Sequence, residues 1–263
     1  MVIGEDFPKI KFNLLGMDLV EPNSFIGNTL ILLAALYCAH QTRKVSDGSP
    51  FFKLWNWFYI IFGISFFTGG LGHIFFNQWG ISGKYGSWML GILAVALIEV
   101  AMVSIYPVIQ NRELFQKIIF VKMLLAFSAE ILVINFIDLN AEPARGMIVP
   151  TINSAIGLGT ALGAMGYYYQ KNIHDSFRYL TVSALVLLPS TAIQALKINP
   201  HPWFDRNDLS HLLLIAGCFL YLRSIKGYAL SLETKNAPEL IPADVIHPVF
   251  VLEEEEVDAV ETV

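Results

Sequence analysis

Asp208 and His211 stand three residues apart at the head of an apolar run that continues through Leu222. At helical spacing their side chains share one face. Carrying an ionisable group into hydrocarbon costs on the order of 2.5–3.5 kcal/mol even on permissive insertion scales, so such residues pair, bind an ion or line a wet space. Imidazole and carboxylate suit zinc or a similar divalent ion, and a catalytic site would need three protein ligands and a position for water. His73, near the end of an earlier apolar run, is the expected third ligand, which makes the metal set His73, Asp208 and His211 with zinc as the ion. Glu130 is a further oxygen donor that could complete such a site. The competing reading of the same residues is structural, a polar cluster in which each imidazole is bonded to a neighbouring carbonyl or carboxylate.

These residues need elements to hold them level. The chain has 263 residues, 55% of them hydrophobic and only 15% charged, which excludes an ordinary soluble domain. Apolar runs of about 20 residues, in place of the roughly 10-residue alternating strands of an outer-membrane barrel, predict helices. Seven are expected, at 24–41, 53–76, 86–107, 114–137, 147–169, 177–197 and 207–228. The fold class is therefore an all-α membrane protein, a seven-transmembrane-helix bundle. Short links such as Ser46-Asp47-Gly48-Ser49-Pro50 and Asn199-Pro200-His201-Pro202 make successive helices antiparallel neighbours in one bundle.

The expected organisation is an extracytoplasmic segment 1–23, a membrane domain 24–231 and an acidic, mostly disordered cytoplasmic tail 232–263. Glu5, Asp6, Asp18 and Glu21 argue against a cleavable leader. Lys and Arg favour the side of the odd-numbered connections and the tail by about ten to six, which orients the chain with its N-terminus outside and its C-terminus in the cytoplasm. The net charge of −5 arises largely from Glu253 to Glu256, Asp258 and Glu261, and implies no nucleic-acid partner. The expected partners are the bilayer of the cell membrane and a lipid or small-molecule ligand. Cys38 and Cys218 fall inside spans and read as small buried apolar residues.

Two further patterns bear on packing. Glu99 and Lys122 lie at mirror-image distances from the turn near Asn111, so antiparallel helices bring them level as an intramembrane ion pair. Gly69-Gly70-Leu71-Gly72 thins the second span just before His73, and Pro189 loosens the sixth.

The seven-span layout, the His near the end of the second span and the polar opening of the last span resemble the superfamily of intramembrane hydrolases that includes alkaline ceramidases and progestin/adipoQ receptors. The similarity is best at Asn207 to Tyr228, with its His-Leu-Leu opening, central Gly and Tyr-Leu sequence. In that superfamily a Ser-x-x-x-His motif of the second span and a His-x-x-x-His motif of the last span hold zinc. His73 and His211 match the first and the last of those histidines, while the Ser falls on Gly69 and the remaining His on Asn207. The resemblance implies a metal-dependent hydrolase of a lipid amide or ester; by position, Asp208 or Glu130 could replace the ligand missing at Asn207. The alternative expectation is a non-catalytic seven-helix sensor, receptor or small-solute-binding protein whose polar cluster is structural.

Overall fold

A computed structural model describes residues 1–236 and contains seven helical segments long and apolar enough to cross a membrane. The chain is thus a multi-pass membrane protein. Its spans are α1 (Pro22–Lys44), α2 (Pro50–Ile74), α4 (Tyr85–Ser104), α5 (Ile109–Phe136), α8 (Arg178–Ala195), α9 (Arg206–Asn236) and a composite fifth span. That fifth span is α6 (Ile148–Leu158), a π-helical turn (Gly159–Met165) and α7 (Gly166–Asn172). A short helical turn, α3 (Phe76–Trp79), and a 3₁₀ turn (Gly80–Lys84) join α2 to α4.

Each span coincides with one of the seven expected runs, and several overrun it. The hydrogen-bond ladder of a helix does not stop where the apolar residues stop, so α1 takes in Arg43 and Lys44, and α5 takes in Gln110 to Glu113. α9 runs to Asn236, past the expected start of the tail at 232; the remainder of the tail expectation, residues 237–263, lies outside the described residues. The π-helical turn went unanticipated, because a single wide turn leaves the apolar pattern of its span intact.

Six spans close into a ring: α1 packs on α2, α2 on α4, α4 on α6, α7 and the π-helical turn on α8, α8 on α9, and α9 back on α1. α5 stands outside the ring against α4 and α6, with most of its surface free to meet lipid. The ring is filled differently at its two ends. Toward the end where α2 starts, an aromatic core of Phe51, Phe52, Trp55, Phe58, Tyr59, Tyr169, Phe177 and Tyr221 occupies the interior. Two of its hydroxyls donate to helix carbonyls, Tyr59 to Cys218 at 3.1 Å and Tyr169 to Met102 at 2.6 Å.

The other end carries the N-terminal segment, which forms a cap. β2 (Lys11–Leu14) and β3 (Met17–Val20) make an antiparallel hairpin, and β1 (Val2–Ile3) pairs with β4 (Ile198–Asn199) between α8 and α9. The cap is anchored on two sides. Asn77 and Gln78, on α3, donate to the carbonyl of Asp18, while Asp6 meets Arg206 at 2.8 Å and Lys197 at 3.3 Å.

Candidate functional site

The cap end gathers the polar residues on three helix termini: the start of α1, the end of α2 and the start of α9. α1 begins abruptly because Pro22 occupies its first turn, where a missing N–H costs nothing. The residue before it, Glu21, adopts the left-handed conformation with φ of 51°. A non-glycine residue there is under strain and is held by its surroundings. Its backbone N–H donates to the carbonyl of Ile10 at 2.9 Å, and its carboxylate accepts from His73 Nδ1 at 2.6 Å and meets Lys9 Nζ at 3.3 Å. Burial pushes the Glu21 carboxyl up, but the His73 hydrogen bond and the charges of His73, Lys9 and Lys84 outweigh it and hold the group well below the usual carboxylate range.

α9 opens with a reciprocal cap. The side chain of Asp205 accepts from the N–H groups of Asn207 at 2.7 Å and Asp208 at 3.3 Å, and Asp208 Oδ2 reaches back to the N–H of Asp205 at 3.0 Å. This is the logic of a capping box, with the second acidic residue three positions after the first. Asp208 Oδ2 also accepts from Asn23 Nδ2 on α1 at 2.8 Å, so one carboxylate both starts α9 and ties it to α1. Burial and the neighbouring charge of Asp208 raise the Asp205 carboxyl, against the two amides that lower it.

His211 follows one turn further along α9. It is buried, its Nδ1 has no hydrogen-bond partner, and the ring of Phe66 meets it edge-on at 6.1 Å. Phe66 continues a stack through Phe62 and Phe58, so the imidazole sits on top of the aromatic core. α1 comes close enough to cover it only because residue 27 is glycine: a Cβ there would strike His211 Nδ1 and lie 3.4 Å from Asp208 Oδ1.

The three expected ligands are thus brought to one end of the bundle, but with different commitments. His73 is bonded to Glu21, Asp208 is bonded to Asn23 and its own helix start, and His211 alone keeps an unused buried nitrogen. Among the described residues, no group of three or more His, Cys, Asp or Glu side chains is placed to hold a metal ion. Asn207, where the resemblance looks for a further histidine, turns to α8 and accepts from Gln194. Glu130 lies on α5, against α4 and α6 and away from the helices that carry the cluster. The Glu99–Lys122 pair forms at 2.5 Å, as its mirror-image spacing predicts.

Sequence reasoning passed over Glu21, Asn23 and Asp205. Asp205-x-x-Asp208 before an apolar run is a legible helix-start signature, and an acidic residue followed by Pro22 marks the start of α1. The partnership of Glu21 with His73 had no local signal, since it spans 52 residues.

No curated protein and no solved structure matches the chain. The sequence profile of a family of unknown function, DUF6962, matches residues 24–230, from just after the start of α1 to within α9. The chain therefore belongs to the DUF6962 family.

Proposed function

We propose that this protein is a non-catalytic ligand-binding protein of the cell membrane, a sensor, receptor or small-solute binder, that engages a small polar group at its capped end through His211. The observation that carries this reading is the uneven commitment of the cluster: His73 and Asp208 are occupied within the fold, and His211 Nδ1 is buried without a partner. A buried polar atom left unpaired costs about 1–3 kcal/mol, which a hydroxyl or amine of a bound molecule would recover by exchanging one hydrogen bond with the imidazole. Asp208 Oδ1 lies beside the same glycine, so a ligand that reaches both atoms must part α1 from α9. Phe66 supplies an apolar floor. The ten-to-six bias of Lys and Arg supports an orientation with this capped end outside the cell and the C-terminus in the cytoplasm.

Mass spectrometry of molecules co-extracted with the purified protein tests the reading. A lipid or solute that is retained by the wild type, lost in His211→Ala and recovered unhydrolysed supports it. Recovery of hydrolysis products would overturn it.

One observation favours a second reading, a zinc-dependent lipid amide or ester hydrolase: His73, Asp208 and His211 all reach the same end of the bundle. It requires His73 Nε2, Asp208 and His211 to come together around one ion. Elemental analysis decides it, since stoichiometric zinc that disappears in His211→Ala is its signature.

A further inference from the structure

α5 carries a carboxylate that the capped site does not use. Glu130 is fully buried, and neither of its side-chain oxygens has a hydrogen-bond partner among the described residues. It is one of only two buried residues on a helix that is otherwise largely free to meet lipid, so it points into the contact with α4 and α6. α6 brings its own unpartnered group to that unit: Asn153 is 5% exposed, and both polar atoms of its carboxamide lack a partner.

The α4–α5–α6 unit is tight. A Cβ at Gly157, one turn from Asn153, would lie 3.0 Å from Glu99 Cδ and 3.1 Å from Lys122 Nζ, so α6 seats directly on the ion pair. That pair also removes the obvious counter-charge. Lys122 is committed to Glu99 at 2.5 Å, and α6 itself carries no titratable residue. The other titratable or charged groups on elements packed against α5 are Tyr85 and Glu99 on α4 and Arg145 in the turn before α6; Arg145 is half exposed and paired with Glu142 at 2.5 Å. On α5 itself Arg112, Glu113 and Lys117 lie more than three turns away, toward the opposite end.

From this placement we infer that Glu130 is an intramembrane proton-binding site, which holds one proton in the folded protein, with Asn153 as the unpartnered carboxamide of the adjacent helix. A carboxylate buried without a cation is driven to neutralise, and the proton is the neutraliser that needs no further ligands. A metal cation would need several donors, and among the described residues no cluster of three His, Cys, Asp or Glu surrounds it. This site is separate in helices and in chemistry from the capped His211 site and does not depend on that reading.

Thermal unfolding of the full-length protein in detergent, measured against pH for wild type and Glu130→Gln, tests the inference. A proton held only in the folded state stabilises at low pH, and that contribution fades as pH rises. The wild type should lose a few degrees of melting temperature toward alkaline pH beyond any loss in Glu130→Gln, and the variant should match or exceed the wild type there. Difference infrared spectra at neutral pH should show a protonated carboxyl band that Glu130→Gln lacks. An unchanged band, or a variant less stable than wild type at every pH, overturns the inference. So does a rise in wild-type melting temperature with sodium, at fixed pH and ionic strength, that the variant does not share. Should Glu130→Gln fail to accumulate, Glu130→Leu replaces it; failure of both neutral variants to fold would mean that the fold uses the charged form.

Discussion

Glu21 Oε2 lies 2.6 Å from His73 Nδ1, and this contact joins the cap to the end of α2 across 52 residues of chain. It fixes the orientation of the imidazole, with Nδ1 bonded and only Nε2 open to another ligand, and holds a strained backbone turn at the start of α1. The cap end is therefore a set of helix termini locked by acidic residues, with one imidazole left over.

Replacing Glu21 with Gln removes the charge that faces His73 and Lys9. Loss of a fully buried pair member costs roughly 3–5 kcal/mol; partial exposure of both side chains reduces the expected loss to about 1–3 kcal/mol. The pH dependence has a definite sign. Because the folded carboxyl is held below its ordinary value, its contribution is complete above about pH 5 and is lost as pH falls through the acid range. Melting curves of wild type and Glu21→Gln should converge in acid and separate at neutral pH.

Asp205→Asn should keep the cap on α9, since Asn is an equally good N-cap residue, while removing the charge that opposes Asp208. The Asp205 carboxyl is raised in the fold, so its ionisation penalises the folded state at neutral pH and not in strong acid. The variant should be more stable than wild type at pH 7, and the gain should vanish below about pH 4. Asp205→Ala, which removes the cap altogether, should instead lose about 1 kcal/mol. Chemical denaturation at the two pH values reads both effects.

Asp208→Ala deletes one acceptor from the helix cap and one from Asn23. The expected loss is about 2–3 kcal/mol, the sum of a cap and a buried hydrogen bond. If the carboxylate also helps to hold a ligand, Asp208→Asn should fold nearly as well as wild type and retain less co-extracted molecule.

Gly27→Ala places a methyl group against His211. Overpacking of this kind costs about 1–3 kcal/mol, and the displaced imidazole should retain less ligand than wild type. Thermal unfolding and mass spectrometry of the extracted protein separate the two consequences. Stability unchanged by the methyl group would contradict the close approach of α1 to α9.

Lys122→Met leaves Glu99 unpaired beneath Gly157 and should cost about 3–5 kcal/mol, whereas Lys122→Met with Glu99→Leu should recover most of that loss. A double-mutant cycle by denaturant unfolding measures the coupling.

The sequence carried a good deal of this arrangement. Seven long apolar runs admit one class of structure, because a membrane leaves no water to satisfy a backbone that is neither helical nor closed into a barrel. The Glu99–Lys122 pair was legible because two helices joined by a short turn have a fixed register, and mirror positions meet. The same reasoning explains why His73, Asp208 and His211 reach a common end: alternation of spans sets depth.

Depth is all that alternation sets. That His73 turns its Nδ1 to Glu21 depends on which way α2 is rotated and on where a hairpin of the N-terminal segment comes to rest. Neither is written in the spacing of any one helix. The closure of the ring by α9 on α1, the exclusion of α5 from it, and the isolation of Glu130 between α4 and α6 likewise follow from side-chain packing between elements distant in the chain. Composition and periodicity fixed the elements and their levels because those depend on each segment's own contact with lipid. Rotation, partner choice and the one unused imidazole were decided by tertiary structure, because each is a choice among surfaces that only meet once the bundle has closed.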